Sequence, residues 1–451
     1  MRTDLWERSW RLPCPQPGVR NVSESARTVV TVSEIERKPE FPVSLLTGGS
    51  DRPYVYGLMN ALLSKHVTMD LMGSDELNTP EFSARPGVNF LHLRGDQRIE
   101  ASFFTKTKRI LAFYVRLLRY ATSAKPRIFH ILWNNRFEHF DRTVLMLYYK
   151  LLGKKIVLTV HNVNTAKRDR RDSALNRFTL RIQYRLADYI FVHTRASKTE
   201  LVRDYGVCDK RVSVIPFGIN NSIPNTGLGS PEAKARLGLR ESDRVLLSLG
   251  RMAPYKGVEY LISAMEQLAP KDPNLRLLLV GRTDHSPEYA RRITELATPL
   301  VKEGRVLLRA ENIPDSEMEV YFKAADVSVL PYKQIYQSGV LFLSYSFGLP
   351  VLAADVGSLS DDIVEGRTGF VFRPEDPDAL AKAIERYFAS DLFAELVGRR
   401  REIIDYATEK HSWDLVAQIT VNVYAGLLGK PLQEGSKHDA SSPSLDLHTS
   451  S

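Results

Sequence analysis

Short apolar runs alternate with longer amphipathic stretches along nearly the whole chain, and this alternation is played out twice. In the first series Val43-Ser44-Leu45-Leu46 ends at Thr47-Gly48-Gly49, a helical stretch runs from about Pro53 to Lys65, and the strand Val67-Thr68-Met69-Asp70-Leu71 follows. Further strands are expected over 88–93, 128–133, 156–161, 189–193 and 212–216, with helical patterns such as 103–120 and 143–152 between them. The segment 220–229, rich in Asn, Gly, Ser and Pro, reads as a linker. A second series begins beyond it, with strands over 244–249, 275–280, 306–308, 327–330 and 350–353 and helices over 257–268, 288–302, 315–325, 338–346 and 377–389. Strands that alternate with helices pair in parallel and bury both faces, so each series predicts a doubly wound α/β sheet.

The expected organisation is therefore two tandem Rossmann-like domains over 41–225 and 226–410. A polar lead-in covers 1–40, a helix over 411–430 returns to brace the first domain, and a tail rich in Ser, Asp and His covers 431–451. A chain of 451 residues exceeds what one core organises, which agrees with two domains. Two cysteines, Cys14 and Cys208, are too few for a disulfide framework and fit a reducing, cytoplasmic setting. No apolar run approaches the ~20 residues that span a bilayer, and the first residues lack the pattern of a signal peptide. Residues 1–225 carry 36 Lys and Arg against 21 Asp and Glu, whereas the remainder carries 26 against 32. A basic half joined to a mildly acidic one suggests an anionic partner for the first half, with nucleic acid, an anionic membrane and a phosphate-bearing small molecule all compatible.

The segment Val245-Leu246-Leu247-Ser248-Leu249-Gly250-Arg251-Met252-Ala253-Pro254-Tyr255-Lys256-Gly257 is the most informative. A buried strand runs into a glycine, an arginine and, five residues on, a Lys-Gly that opens a helix. Ligands of parallel sheets bind beyond the carboxyl ends of the strands. There Arg251 can grip a phosphate in bidentate fashion and Lys256 can add a point charge, together offsetting charge on a diphosphate. Two solvated cations in a surface turn is the simpler alternative. Gln337-Ser338-Gly339-Val340 opens a second helix, where Ser338 is expected to cap and free amides offer an anion site. His161 lies where the strand 156–161 emerges and faces the cleft expected between the domains. The run Lys167-Arg168-Asp169-Arg170-Arg171 is either a solvated loop or a contact for an anionic acceptor. Lys106, Lys108, Arg109, Arg116 and Arg119, interleaved with Phe103, Phe104, Phe113 and Tyr114, suit an anionic membrane edge or an ordinary amphipathic helix. No G-x-G-x-x-G follows the first strand, and P-loop, zinc and G-x-S-x-G patterns are missing. Asp376-Pro377-Asp378 reads as a helix cap rather than a metal motif.

Taken together, residues 42–428 resemble the large retaining glycosyltransferase family known as family 4, or glycosyl transferases group 1, with the GT-B fold. The resemblance rests on Gly250-Arg251 with Lys256-Gly257, Val280-Gly281-Arg282, Ala325-Asp326-Val327, Phe347-Gly348-Leu349-Pro350-Val351 and Gly366-Arg367-Thr368-Gly369. In the first half it rests on Val160-His161, Ala187-Asp188-Tyr189 and Val214-Ile215-Pro216-Phe217-Gly218. It implies a nucleoside-diphosphate sugar (UDP- or GDP-linked) held by the second domain and an acceptor held by the first. Arg251 and Lys256 would hold the diphosphate with Gly250 and the amides of Ser338, Gly339 and Val340. Asn312 and Ile313 would lie by the nucleobase, Gly49 by the phosphates and His161 by the donor sugar. No cofactor and no metal are implied. One departure stands out: the family usually carries two Glu eight positions apart, and Ile335 and Leu343 occupy those places, with no Glu between Glu319 and Glu365.

The expected activity is transfer of a hexose to a glycan hydroxyl in surface polysaccharide synthesis. The expected acceptor is lipid-diphosphate-linked, handled by a cytoplasmic protein at the inner face of the membrane, with no role for nucleic acid. An epimerase or hydrolase of the same fold and a catalytically silent partner subunit are the alternatives.

Overall fold

The computed structural model describes residues 41–48, 52–74, 77–94, 103–169, 171–219, 223–282 and 286–430. Thirteen strands among them form two sheets. The first contains β1 (Pro42–Leu46), β2 (Thr68–Met72), β3 (Val88–Leu91), β4 (Ile128–Ile131), β5 (Lys155–Val160), β6 (Tyr189–Val192) and β7 (Val212–Val214) in the order β3-β2-β1-β4-β5-β6-β7. The second contains β8 (Arg244–Leu249), β9 (Leu275–Val280), β10 (Val306–Arg309), β11 (Val327–Leu330), β12 (Val351–Ala354) and β13 (Gly369–Phe372) in the order β10-β9-β8-β11-β12-β13. Every pairing is parallel. In each sheet the order reverses beside the first strand, which opens a crevice at the carboxyl ends of the strands. Two Rossmann-like sheets in tandem make the GT-B architecture.

The strands form where apolar runs allow burial on both faces; Val43, Leu45, Val245, Leu246 and Leu247 are fully buried. Both sheets are fastened at the amino ends of their strands by the same device. Asp188, just before β6, accepts from the Ile156 N–H at 2.8 Å and from Lys150 Nζ at 2.8 Å. Asp326, just before β11, accepts from the Val245 N–H at 2.7 Å and from the buried Lys234 Nζ at 3.3 Å. The Ala-Asp pairs noted in the sequence thus tie the start of one strand to the start of its neighbour.

The helix Trp413–Leu427 packs against Arg52–Ser64, with Val416, Ala417, Val421 and Tyr424 in the core of the first sheet. His130 on β4 bonds Tyr424 Oη at 2.6 Å and Thr159 Oγ1 at 2.8 Å. The chain crosses between the sheets twice, and Trp413 sits at both crossings: its Nε1 donates to Ile219 O at 2.7 Å, and its ring leaves no room for a Cβ at Gly57 or Gly218.

Several details differ from the sequence expectation. The helix expected over 143–152 starts earlier, as Glu138–Phe140, and passes through a π turn (Asp141–Leu145) into Met146–Leu151. On the helix Phe103–Ser123 the ring of Phe113 and that of Tyr114 turn into the core, so the expected interleaving of basic and aromatic side chains is not a surface feature there. Leu111 and Val115 are exposed instead. Among the described residues no helix is long and apolar enough to cross a membrane.

Candidate functional site

The strand β8 delivers its chain end into a turn that glycines make possible. Backbone pairing continues past the strand, with Gly250 N–H bonding Val280 O at 2.9 Å and Met252 N–H bonding Arg282 O at 2.8 Å. Gly250 adopts φ +121°, a region closed to residues with a Cβ, and a Cβ at Gly281 would overlap the Gly250 carbonyl. A Cβ at Gly250 would also lie 3.2 Å from Lys256 Nζ, so this glycine leaves the space that the lysine side chain fills.

Lys256 ends the short helix Pro254–Lys256 and is nearly fully buried. Its Nζ donates to Tyr332 Oη at 2.5 Å and stands 4.2 Å from the centre of the Tyr332 ring. Burial pulls its pKa down to about 8, and the charges of Arg251 and Arg168 push in the same direction. Three cations share one neighbourhood, and although Arg168 pairs with Asp169 at 2.7 Å, Lys256 has no carboxylate partner among the described residues, which favours an anionic guest. Nε of Arg251 is buried and has no hydrogen-bond partner among the described residues.

Lys256 faces a cavity of about 340 Å³ shared by both domains. Ser338, Gly339 and Val340 line it from the start of the helix Gly339–Ser346, whose first amides have no intrahelical acceptor. Ser338 holds the N-cap position, but its side chain makes no capping bond. It is buried with Oγ 3.3 Å from Tyr332 Oη, because the strand end at Pro331 brings that phenol beneath the helix. Ile335 and Leu343 line the same cavity with apolar surface. Arg168 reaches it from the first domain and lies over the Tyr255 ring at 4.6 Å, so one member of the basic run 167–171 belongs to the cleft.

His161 lies on the opposite side, at the end of β5. It stacks on Trp133 with ring centres 4.2 Å apart, and its Nδ1 is 3.1 Å from His193 Nε2. The tautomers follow from the partners. His193 Nδ1 meets the Ile215 carbonyl at 3.3 Å, which can only accept, so that nitrogen carries hydrogen. Burial holds His193 neutral, with a pKa of about 4, so its Nε2 is a lone pair that accepts from His161 Nδ1–H. Burial also holds His161 well below the usual imidazole range. Its Nε2 is therefore a bare lone pair, buried and without a partner among the described residues.

The structure thus brings together Gly250, Lys256, Ser338, Gly339 and Val340, whereas Arg251 does not line the cavity. Ile313 is buried in the core of the second domain and Asn312 is exposed; neither lines the cavity. Gly49 lies outside the described residues. Its neighbour Gly48, at φ +63°, packs so closely on Trp133 that a Cβ would overlap it. Sequence reasoning missed the roles of Tyr332 and His193, although His193 directly follows β6 and Tyr332 lies two residues past β11, positions that mark cleft residues in a parallel sheet.

The description "Glycosyl transferases group 1" matches residues 243–390, and "Glycosyltransferase Family 4" matches residues 50–222. A D-inositol 3-phosphate glycosyltransferase of Streptomyces avermitilis is 31% identical over 54% of this chain and 52% of its own length. A protein of the same name from Streptosporangium roseum is 25% identical over 77% of this chain and 81% of its own. The chain spans about half the length of the first of these curated relatives. Among solved structures, sucrose-phosphate synthase of Thermosynechococcus elongatus superposes with a TM-score of 0.69 at 22% identity, covering 86% of this chain and 99% of that one. The Anabaena protein HepE in complex with UDP superposes at 0.66 and 16% identity, covering 86% of this chain and 100% of that one. With both halves of the chain matched and the paired parallel sheets in place, the chain belongs to the family 4, or group 1, glycosyltransferases.

Proposed function

We propose that the protein transfers a hexose from a nucleoside-diphosphate sugar to a hydroxyl of a glycan acceptor. The observation that carries this reading is Lys256, a buried cation in the company of Arg251 and Arg168 that faces the amide-rich start of the helix Gly339–Ser346. In the reaction the acceptor oxygen bonds to the anomeric carbon, the bond from that carbon to the diphosphate breaks, and the electron pair and the hydroxyl proton end on the diphosphate. Lys256, Arg251 and the helix amides supply positive potential where that charge develops. They do this from fixed positions, so little reorganisation is needed. The solved HepE complex with UDP supports a nucleotide donor for this fold. On the family pattern the turn at Asn312 and Ile313 would lie by the nucleobase through its backbone, since the Ile313 side chain is buried, and Gly49 by the phosphates.

A lipid-diphosphate-linked acceptor at the inner face of a membrane, in surface polysaccharide assembly, is the finer part of the proposal. Exposed Leu111 and Val115 beside Arg116 and Arg119 support it, as does Leu151, which is 78% exposed. Ile335 and Leu343 favour a second reading, a silent partner subunit, because an apolar wall replaces the carboxylates usual in the family.

Nucleotide binding separates the two. UDP or GDP is expected to raise the melting temperature of the wild type, and Arg251→Ala is expected to lower turnover at least about 100-fold. If neither nucleotide binds, the silent reading stands and the transfer reading fails. Salt-sensitive flotation with anionic liposomes is the expected result for the membrane part.

A further inference from the structure

Tyr336 starts in the second domain and ends in the first. It lies between Ile335 and Gln337, both of which line the cavity in front of Lys256, and shortly ahead of the helix Gly339–Ser346. Its carbonyl is fixed to the second domain, accepting from the Ser358 N–H at 3.2 Å and from Ser358 Oγ at 2.8 Å. Gly357, at φ +63°, lets the two segments approach, since a Cβ there would lie 1.9 Å from the Ile335 carbonyl oxygen. The ring goes the other way and packs on the core of the first domain.

There the phenol closes a circuit of bonds. Burial, and then the Glu200 carboxylate, raise its pKa, so it keeps its hydrogen and donates it to Glu200. The Asn164 N–H donates to the same oxygen. Both partners lead to one short turn, Thr165–Arg168. Asn164 caps that turn, its Oδ1 accepting from the Lys167 N–H at 3.1 Å, and Glu200 pairs with Lys167 Nζ at 3.8 Å. The turn ends in Arg168, which lies over the Tyr255 ring of the second domain and lines the cavity. Burial first, and then Arg251 and Arg168, lower the pKa of Lys256, so the charge of Arg168 is felt at that ammonium.

We propose that Tyr336 is a positioning residue that sets Arg168 against the diphosphate, so that a cation from the first domain joins Lys256 and Arg251 only across the junction of the two domains. An apolar side chain would pack on the first domain as well. Hydrogen bonds weaken steeply away from alignment, so the phenol holds the turn in register as well as in contact. Lys256 and Arg251 belong to the second domain and act on a guest there by themselves. Arg168 adds its charge only while the first domain is latched, and the positive potential on the leaving group is complete only then. That the guest is a diphosphate rests on the transfer reading.

A double-mutant cycle on the full chain tests it, read as the Kd of UDP, GDP and inorganic pyrophosphate by calorimetry. Arg168→Ala is expected to weaken binding about tenfold, the scale of one hydrogen bond to a charged group. Tyr336→Phe keeps the ring on the core and loses both bonds, and is expected to weaken binding about three- to tenfold. In the double variant the loss is expected to be no larger than in Arg168→Ala alone, because Tyr336 acts through that arginine. Glu200→Ala approaches the same contact from the first domain and is expected to repeat the pattern. A residue that merely packs the domains together would add its effect to that of Arg168→Ala. Additive losses, an unchanged Kd in Arg168→Ala or in Tyr336→Phe, or no binding of any of the three probes would overturn the inference. Additive losses with nucleotide bound leave the transfer reading in place. Pyrophosphate binding with the expected coupling, but no binding of either nucleotide, counts against the transfer reading and leaves the latch standing.

Discussion

Lys256 gives the sharpest test of the donor site, because its buried ammonium titrates near neutral pH. With a pKa of about 8 in the free protein, about nine in ten molecules carry the charge at pH 7 and about one in ten at pH 9. A diphosphate beside Nζ favours the protonated form and raises that pKa. Binding strength is therefore fully present below about pH 8 and lost as the pH rises through it. The loss follows one plus ten to the power of pH minus pKa, which gives about a tenfold weaker Kd at pH 9 than at pH 7, or ~1.4 kcal/mol. Arg251 stays charged throughout and the diphosphate is already ionised, so neither reproduces this dependence. The assay is titration calorimetry of UDP, with GDP in parallel, at pH 7, 8 and 9 in buffers of different ionisation enthalpy. At pH 9 the expected uptake is roughly 0.9 proton per nucleotide bound. Lys256→Met is expected to bind weakly at every pH with a flat profile. A flat profile in the wild type, or the same slope in Lys256→Met, would refute the reasoning.

Other perturbations address the scaffold. Asp326→Ala leaves buried Lys234 and the Val245 N–H without their partner and is expected to cost about 3–5 kcal/mol in urea unfolding, whereas loss of the exposed Arg236–Glu232 pair through Glu232→Ala is expected to cost under about 1 kcal/mol. Gly281→Ala places a methyl against the Gly250 carbonyl, so a loss of about 1–3 kcal/mol is expected together with weaker nucleotide binding; a normal melting temperature with normal UDP affinity would contradict the packing. Gly218→Ala displaces the Trp413 ring from the crossing between the sheets, and a red-shifted tryptophan emission with a lower melting temperature is the expected readout.

The strands were legible because parallel strands buried on both faces read as plain apolar runs, and the Gly250–Lys256 turn was legible because a cation after a strand-end glycine is unusual chemistry. The helix Ala174–Leu186 was not singled out in the sequence, and its buried face carries the polar residues Asn176, Thr179 and Gln183 beside Leu180 and Tyr184. Of these, Gln183 reaches a cavity beside His161, while Asn176 holds Arg142 at 2.8 Å. Ser338 looked like a cap from local spacing alone, yet Tyr332, brought in by a separate strand, claims its surroundings. The pairing of His161 with His193 joins residues 32 positions apart and needs the register of β5 against β6. The arrival of Arg168 over Tyr255 needs the two domains in place.

The twin aspartate ties at Asp188 and Asp326 divide labour along each sheet. Both fasten the amino ends of strands, the end away from the cleft, and both do so through the backbone of the neighbouring strand. The ties fix one end of each sheet, while the opposite rim is shaped by close glycine contacts such as that of Gly281 with the Gly250 carbonyl. Ile335 and Leu343 line the cleft at that rim where the family usually carries carboxylates. The chain thus keeps both fastenings at one end of its sheets and departs from the family pattern at the other.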